Sequence, residues 1–180
     1  MFSCYTSDLS KFIAGALYIS KELNKIGMSS DFYRIFKIMY FSDKKSLPKF
    51  YQTVFGSWHA LPDGPAPEYF YQLIKKIRDG EIIKEFSMDG NNIVPKLEPD
   101  MDEFSESDIE CINSSIDENG KLSYNELKEK SHGTAWENTA RGYEINILDI
   151  AREAGGNGSV VEHIKEKIIN CSPAQMVEIF

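Results

Sequence analysis

The chain has 180 residues, 42% of them hydrophobic, and 28 Asp and Glu against 20 Lys and Arg give a net charge of −8. That length lets one domain bury a core without disulfide or metal support, while carboxylates spread along the chain repel phosphates and exclude a general nucleic-acid binder. No apolar run approaches a membrane span, the start "MFSCYTSD" lacks a signal peptide's basic and apolar regions, and Cys4, Cys111 and Cys171 form no close-spaced set, so three free thiols in a reducing cytoplasm are expected.

In "SDLSKFIAGALYISKELNKIG", Leu9, Phe12, Ile13, Ala16, Leu17 and Leu23 recur at three- and four-residue steps, predicting an amphipathic helix capped by Ser7 and stopped near Gly27. A second, mostly buried helix follows, with Ser30 as its cap, Phe32, Ile35, Phe36, Met39 and Phe41 on or beside one face, and Pro48 forbidding much continuation. "YQTVFGSWHALPDGPAPEYF" breaks every periodicity and reads as a structured loop, which feeds a third helix opened by Pro67 and carrying Phe70, Leu73, Ile74 and Ile77 to Gly80. The runs "IIKEF" and "NIVPKL" flank Asp89-Gly90-Asn91 and predict a β-hairpin, with Pro95 confining the second strand to an edge. After the acidic connector "EPDMDEF", Ser105 and Asp108 form a capping box for a helix carrying Ile109, Ile112 and Ile116 to Gly120. A second box, Ser123 with Glu126, opens a short helix. "NILDIAREAGG" and "SVVEHIKEKI" are two further helices split by a Gly-rich turn, and Ser172-Pro173 opens a last turn or two. The fold class is therefore mainly α, a compact single-domain helical fold with one small β-hairpin at about residues 81–98.

The segment from Asp117 to Glu126 resembles a calcium loop but is out of frame: counted from Asp117, its glycine falls too early, Lys121 takes a ligand position, and the loop closes two residues short. Helix end, turn and helix start explain every residue. His59, His132 and His163 have no ligand-like spacing to one another or to a cysteine, so no metal or cofactor is expected. His132 and His59 read first as loop or hydrogen-bonded core histidines, with an acid or base role the lesser alternative. The cysteines sit on or beside apolar helical faces and read as inert thiols. "GGNGS" follows a helix and lacks the Lys-Ser or Lys-Thr ending of a phosphate loop.

Two stretches stand out. "FKIMYFSDKKSL" joins an aromatic stripe to Asp43, Lys44 and Lys45, and "LPDGPAPEYFYQLI" joins a rigid turn to three aromatics. Singly, these aromatics read as core and the prolines as turn chemistry; together they compose a surface of rigid aromatic anchors suited to a protein partner. Tyr40 and Asp43, three apart, lie on neighbouring positions of one helix face, and Pro65 and Pro67 stiffen the adjoining loop. In the structural alternative, Tyr40 packs in the core and Asp43 caps a neighbouring helix or pairs with Lys44. Trp136 and the turn around His132 are the next place to look.

The same stretches carry a family resemblance. Phe36, Lys37, Tyr40, Phe41 and Asp43, followed by Gly64, Pro65, Pro67 and the run from Tyr69 to Leu73, resemble the Panacea domain of SocA-like antitoxins, also described as phage-associated proteins. The run "FSESDIECINSSIDENGKLSYNELKEKSHGTAWE" is similar to that domain's second half. The resemblance spans roughly residues 8–155 of a single Panacea-like domain at 1–180, leaving 158–180 as a C-terminal helical extension. Ser42 departs from the pattern, replacing a small apolar residue, and the extra DNA-binding domain that family members often carry is not expected here.

The resemblance implies an antitoxin, not an enzyme: a protein that binds a cognate, co-encoded toxin and blocks it, with no nucleic acid or membrane as partner on its own. The toxin's chemistry does not follow from it. Partner-binding residues are expected among Tyr40, Asp43, Lys44, Gly64, Pro65, Pro67, Tyr71, His132 and Trp136. A proteolytic adaptor delivering a partner to a protease is the alternative. A small hydrolase using His132 with Cys111 or an acidic residue is a more distant one.

Overall fold

A computed structural model describes residues 9–170; the expected cap Ser7, the thiols Cys4 and Cys171, and the Ser172-Pro173 turn lie outside that range. The first helix, α1, runs Leu9–Lys25 and buries Phe12, Ala16, Leu17, Ile19 and Leu23. Gly15 lets the Phe55 ring lie directly on its backbone, where a Cβ would collide. Beyond it, Gly27 adopts φ +74°, a left-handed turn that only glycine takes at little cost.

The second helix, α2, spans Phe32–Phe50 and packs against α1 on one side and three later helices on others. Its cap is Asp31, whose carboxylate accepts from the Tyr33 amide at 2.9 Å, and not the expected Ser30. Ser30 is tied to the hairpin instead: its hydroxyl donates to the Ile93 carbonyl, and its own carbonyl accepts from the Ile93 amide. Pro48 lies in the last turn, and the helix ends at Phe50, as that proline predicts, with the Tyr51 amide still donating to Leu47. Ser42, the departure from the family pattern, is fully buried but satisfied, donating to the Ile38 carbonyl one turn back at 2.7 Å.

The stretch expected as a loop holds a second, unforeseen antiparallel pair: β1, His59–Leu61, against β2, Gly64–Ala66. The Ala60 amide and carbonyl both face residues 142–143, donating to Tyr143 and accepting from Gly142, each at 2.9 Å. Pro65, opposite Ala60, therefore sits where the β1–β2 ladder needs no N–H, which is how a proline fits a strand. Helix α3, Glu68–Arg78, starts directly after Pro67 and buries Phe70, Ile74 and Ile77.

The expected hairpin forms as β3, Phe86–Asp89, and β4, Asn92–Pro95, turning at Gly90 with φ +58°. Its first strand begins four residues later than "IIKEF" suggested: Ile82 is 87% exposed, and Phe86 is the residue that reaches the core. Helix α4, Glu106–Asn119, and helix α5, Tyr124–Ser131, each start with the expected reciprocal capping box. The turn between them is held by Arg34, whose Nη1 donates to the carbonyls of Gly120 at 2.7 Å and Leu122 at 2.6 Å. The segment from Asp117 to Glu126 is thus helix end, turn and helix start, and Glu126 directs its carboxylate to the Ser123 amide. Cys111 in α4 is a free, buried thiol, pushed up in pKa chiefly by that burial. The short α6, Thr134–Glu137, then α7, Ile147–Glu153, and α8, Gly158–Asn170, complete a mainly helical fold. Among the described residues, no helix is long and apolar enough to cross a membrane.

Candidate partner-binding face and adjoining cavities

Asp43 and Tyr40, expected as an exposed pair, are both fully buried, because α2 is wrapped by neighbours on more sides than the aromatic stripe implies. Tyr40 packs its ring edge-on to Trp58 with centroids 5.4 Å apart. Asp43 neither caps a helix nor pairs with Lys44. Its Oδ1 accepts from the amides of Val54 at 2.6 Å and Phe55 at 2.9 Å, and its Oδ2 from the Gly56 amide at 2.8 Å and Trp58 Nε1 at 2.7 Å. One carboxylate therefore fixes the whole approach to β1. Burial pushes its pKa up to about 6 against the pull of those four donors, so it is ionised at neutral pH. Lys44 pairs with Glu153 at 2.6 Å, and the same carboxylate accepts from the Ala135 amide at 2.6 Å, joining α2, α6 and α7.

Lys37, one turn before Tyr40, is also buried, at 4% exposure, and donates to the Pro65 carbonyl at 3.0 Å. Burial lowers its pKa to about 7, with Asp63 opposing and Lys128 adding to the shift. Gly64 makes room for this ammonium. It adopts φ +100°, and a Cβ there would lie 2.6 Å from both Lys37 Nζ and Ser131 Oγ. Gly64→Ala combines left-handed strain with this overlap and is expected to lose about 2 kcal/mol of stability in urea denaturation. An unchanged midpoint would mean that the Lys37 side chain swings free.

Two cavities meet at Lys37. One, of about 230 Å³, lies between α2 and α5 and is lined by Asp31, Tyr33, Arg34, Lys37, Tyr124 and Lys128 among others. The other, of about 280 Å³, lies between α2, the β1–β2 turn and α3, with Tyr33, Phe36, Lys37, Asp63, Tyr71 and Lys75 in its wall. Asp63 bridges to Lys128 at 2.7 Å, and that hydrogen bond is the main reason its carboxyl lies below the usual range. Burial, aided by Tyr71 and Asp63, pushes the Tyr33 phenol up to about 12. Tyr71 is partly exposed, with Lys75 Nζ 4.2 Å from its ring centroid.

A layered aromatic face adjoins the β1–β2 turn. Trp136 donates from Nε1 to the Leu61 carbonyl at 2.9 Å. The His132 ring stacks on it at 3.7 Å and 8°, and the Arg141 guanidinium carbon lies 3.4 Å from its ring centroid. Burial, aided by Lys37 and Lys128, lowers the His132 pKa, which keeps the stacked ring neutral at pH 7. Tyr143 is bonded through its backbone to Ala60, next in the chain to the Leu61 that Trp136 holds, and its side chain is 69% exposed.

The nine expected partner-binding residues therefore divide. Tyr40, Asp43, Gly64, Pro65 and Pro67 are buried and build the hub around α2 and the hairpin; Lys44 is half-buried in its ion pair; Tyr71, His132 and Trp136 reach the surface. Sequence reasoning missed Arg141 and Tyr143, which stand in a run without periodicity: the Arg141 guanidinium donates to the carbonyls of Trp136 and Thr139, and Tyr143 is tied to β1 through its backbone. It also matched Lys37 to the family pattern without giving it a role. Among the described residues, no group of three or more His, Cys, Asp or Glu side chains is placed to hold a metal ion.

Comparison with curated proteins and with solved structures gave no match. The family model described as antitoxin SocA-like, Panacea domain, matches residues 35–137, from the buried turn of α2 to the end of the Trp136 helix. This match covers more than half of the chain and takes in the Asp43 hub, Lys37 between the two cavities, and His132 and Trp136 of the layered face, and on it the chain belongs to the SocA-like antitoxin family with a Panacea domain.

Proposed function

We propose that the chain is an antitoxin that acts in the cytoplasm by binding a co-encoded protein toxin directly, with no catalysis of its own. The family match over residues 35–137 is the observation that carries this reading. The contact surface we assign is the layered face of His132, Trp136 and Arg141 with Tyr143 beside it, extended across the β1–β2 turn to Tyr71. Trp, Tyr and Arg dominate binding energy at protein interfaces because each buries a large rigid surface and keeps a polar handle. Here Trp136 is already held by its bond to Leu61, so little side-chain freedom is lost on docking. The interior hub serves this face by fixing the hairpin that supports it.

Tyr143→Ala and Trp136→Ala test the assignment in cells that express the neighbouring toxin. Both variants are expected to melt as cooperative proteins, to bind the toxin at least about ten-fold more weakly, roughly 1.4 kcal/mol each, and to fail in rescue. Full rescue by both would place the interface elsewhere. Rescue by the wild type that disappears when a cellular protease is removed would replace direct blockade with proteolytic delivery.

A further inference from the structure

We propose that the two cavities meeting at Lys37 form one binding site for a small organic anion, with a carboxylate or phosphate head on Lys37 and Arg34 and a flat apolar body against Tyr33, Phe36 and Tyr71. The site shares only Tyr71 with the contact surface assigned above and rests on donors that the fold leaves unused. The Lys37 ammonium has three hydrogens, and the described residues give it one acceptor, the Pro65 carbonyl. No carboxylate among them forms an ion pair with it; Asp63, the acid facing it, is bonded to Lys128. Arg34 uses Nη1 on two carbonyls, while its Nε is buried with no acceptor. Asp31, in the same wall, is engaged at the α2 cap.

A buried cation with open donors is costly in a protein interior unless something answers it. In a chain of net charge −8, these cavities nevertheless gather Lys37, Arg34, Lys128 and Lys75 against Asp31 and Asp63. The 230 and 280 Å³ volumes far exceed the roughly 30 Å³ share of one water. They suit a metabolite-sized ligand, and the aromatic walls on the α3 side suit a planar body. Head and body are thus recognised from opposite ends of one space, with Lys37 and Tyr33 common to both parts.

The full chain, labelled for amide NMR, would be titrated with benzoate, phenyl phosphate and the uncharged analogue benzamide. At least one of the two anions is expected to shift amides in residues 33–37, 63–66 and 124–128 saturably, and benzamide is expected to leave them in place. Lys37→Met should weaken the anion by about ten-fold or more. Tyr71→Ala, at a partly exposed position, should weaken it several-fold and guards against a repacked Lys37 variant. Absence of saturable shifts with both anions, equal shifts with benzamide, or undiminished binding by Lys37→Met and Tyr71→Ala would overturn the proposal. None of these readouts involves a toxin, so the site and the antitoxin reading stand or fall separately.

Discussion

Asp43→Ala is expected to leave little folded protein at neutral pH. Removing the carboxylate strands four buried donors, the amides of Val54, Phe55 and Gly56 and the Trp58 indole, with no side chain positioned to replace it. An unmade buried hydrogen bond costs about 1–3 kcal/mol, so even the low end of four such losses consumes about 4 kcal/mol of a stability that is typically 5–15 kcal/mol. Asp43→Asn should be milder, because its amide retains one acceptor oxygen while its NH₂ meets a donor. Near-ultraviolet circular dichroism and urea midpoints at pH 7 would read both. A loss below about 1 kcal/mol for alanine would show that water enters and serves the four donors.

The pH dependence of this group runs opposite to the usual carboxylate. Burial raises its folded pKa to about 6 from the ordinary 3.8, so between those values the folded state binds more protons than the unfolded one. From Asp43 alone, stability therefore rises as pH falls from 6 toward 4, and that contribution should vanish in Asp43→Asn. An ion taken out of water is held at a net cost, yet deleting it after its partners are buried costs more.

What the sequence made legible was local. Ser105 with Asp108 and Ser123 with Glu126 are capping boxes complete within four residues, and Gly90 needs only its neighbours to turn a hairpin. The β1–β2 pair was not legible, since Ala60 takes its backbone partners from residues 142–143, about eighty positions away, and two three-residue strands leave no periodic trace. The spacing of Tyr40 and Asp43 correctly placed them close together on α2, but spacing says nothing of what lies across from a face. Packing by α1, α4, α5 and α7 turned that face inward, and the acid became a structural anchor. The surface role is one we assign instead to Trp136 and His132, the second place the sequence pointed to, with Arg141 and Tyr143 from the segment that pairs with β1.

Lys37→Met, in contrast, is expected to stabilise the protein. The buried ammonium has a folded pKa near 7 against 10.5 for the free side chain, a displacement due first to burial. At about 1.4 kcal/mol per pH unit, keeping it charged below pH 7 costs on the order of 3 kcal/mol after the Pro65 hydrogen bond is allowed for. Methionine has nearly the same length and needs neither water nor a partner. Between pH 7 and 10.5 the unfolded chain binds the proton that the folded chain has released, so this group's contribution makes wild-type stability rise with pH across that window. The facing groups modulate the slope: Asp63 favours the ammonium, while Lys128 disfavours it, and neutral His132 adds no charge near pH 7. Urea denaturation should therefore show the variant ahead by about 3 kcal/mol at pH 6.5, with the gap closing toward pH 10. Equal midpoints at both pH values would mean that Lys37 already has an adequate partner and is not an unused cation. A lead that shrinks with rising pH would identify a residue that the fold would be more stable without, and such residues are where function is found to oppose stability.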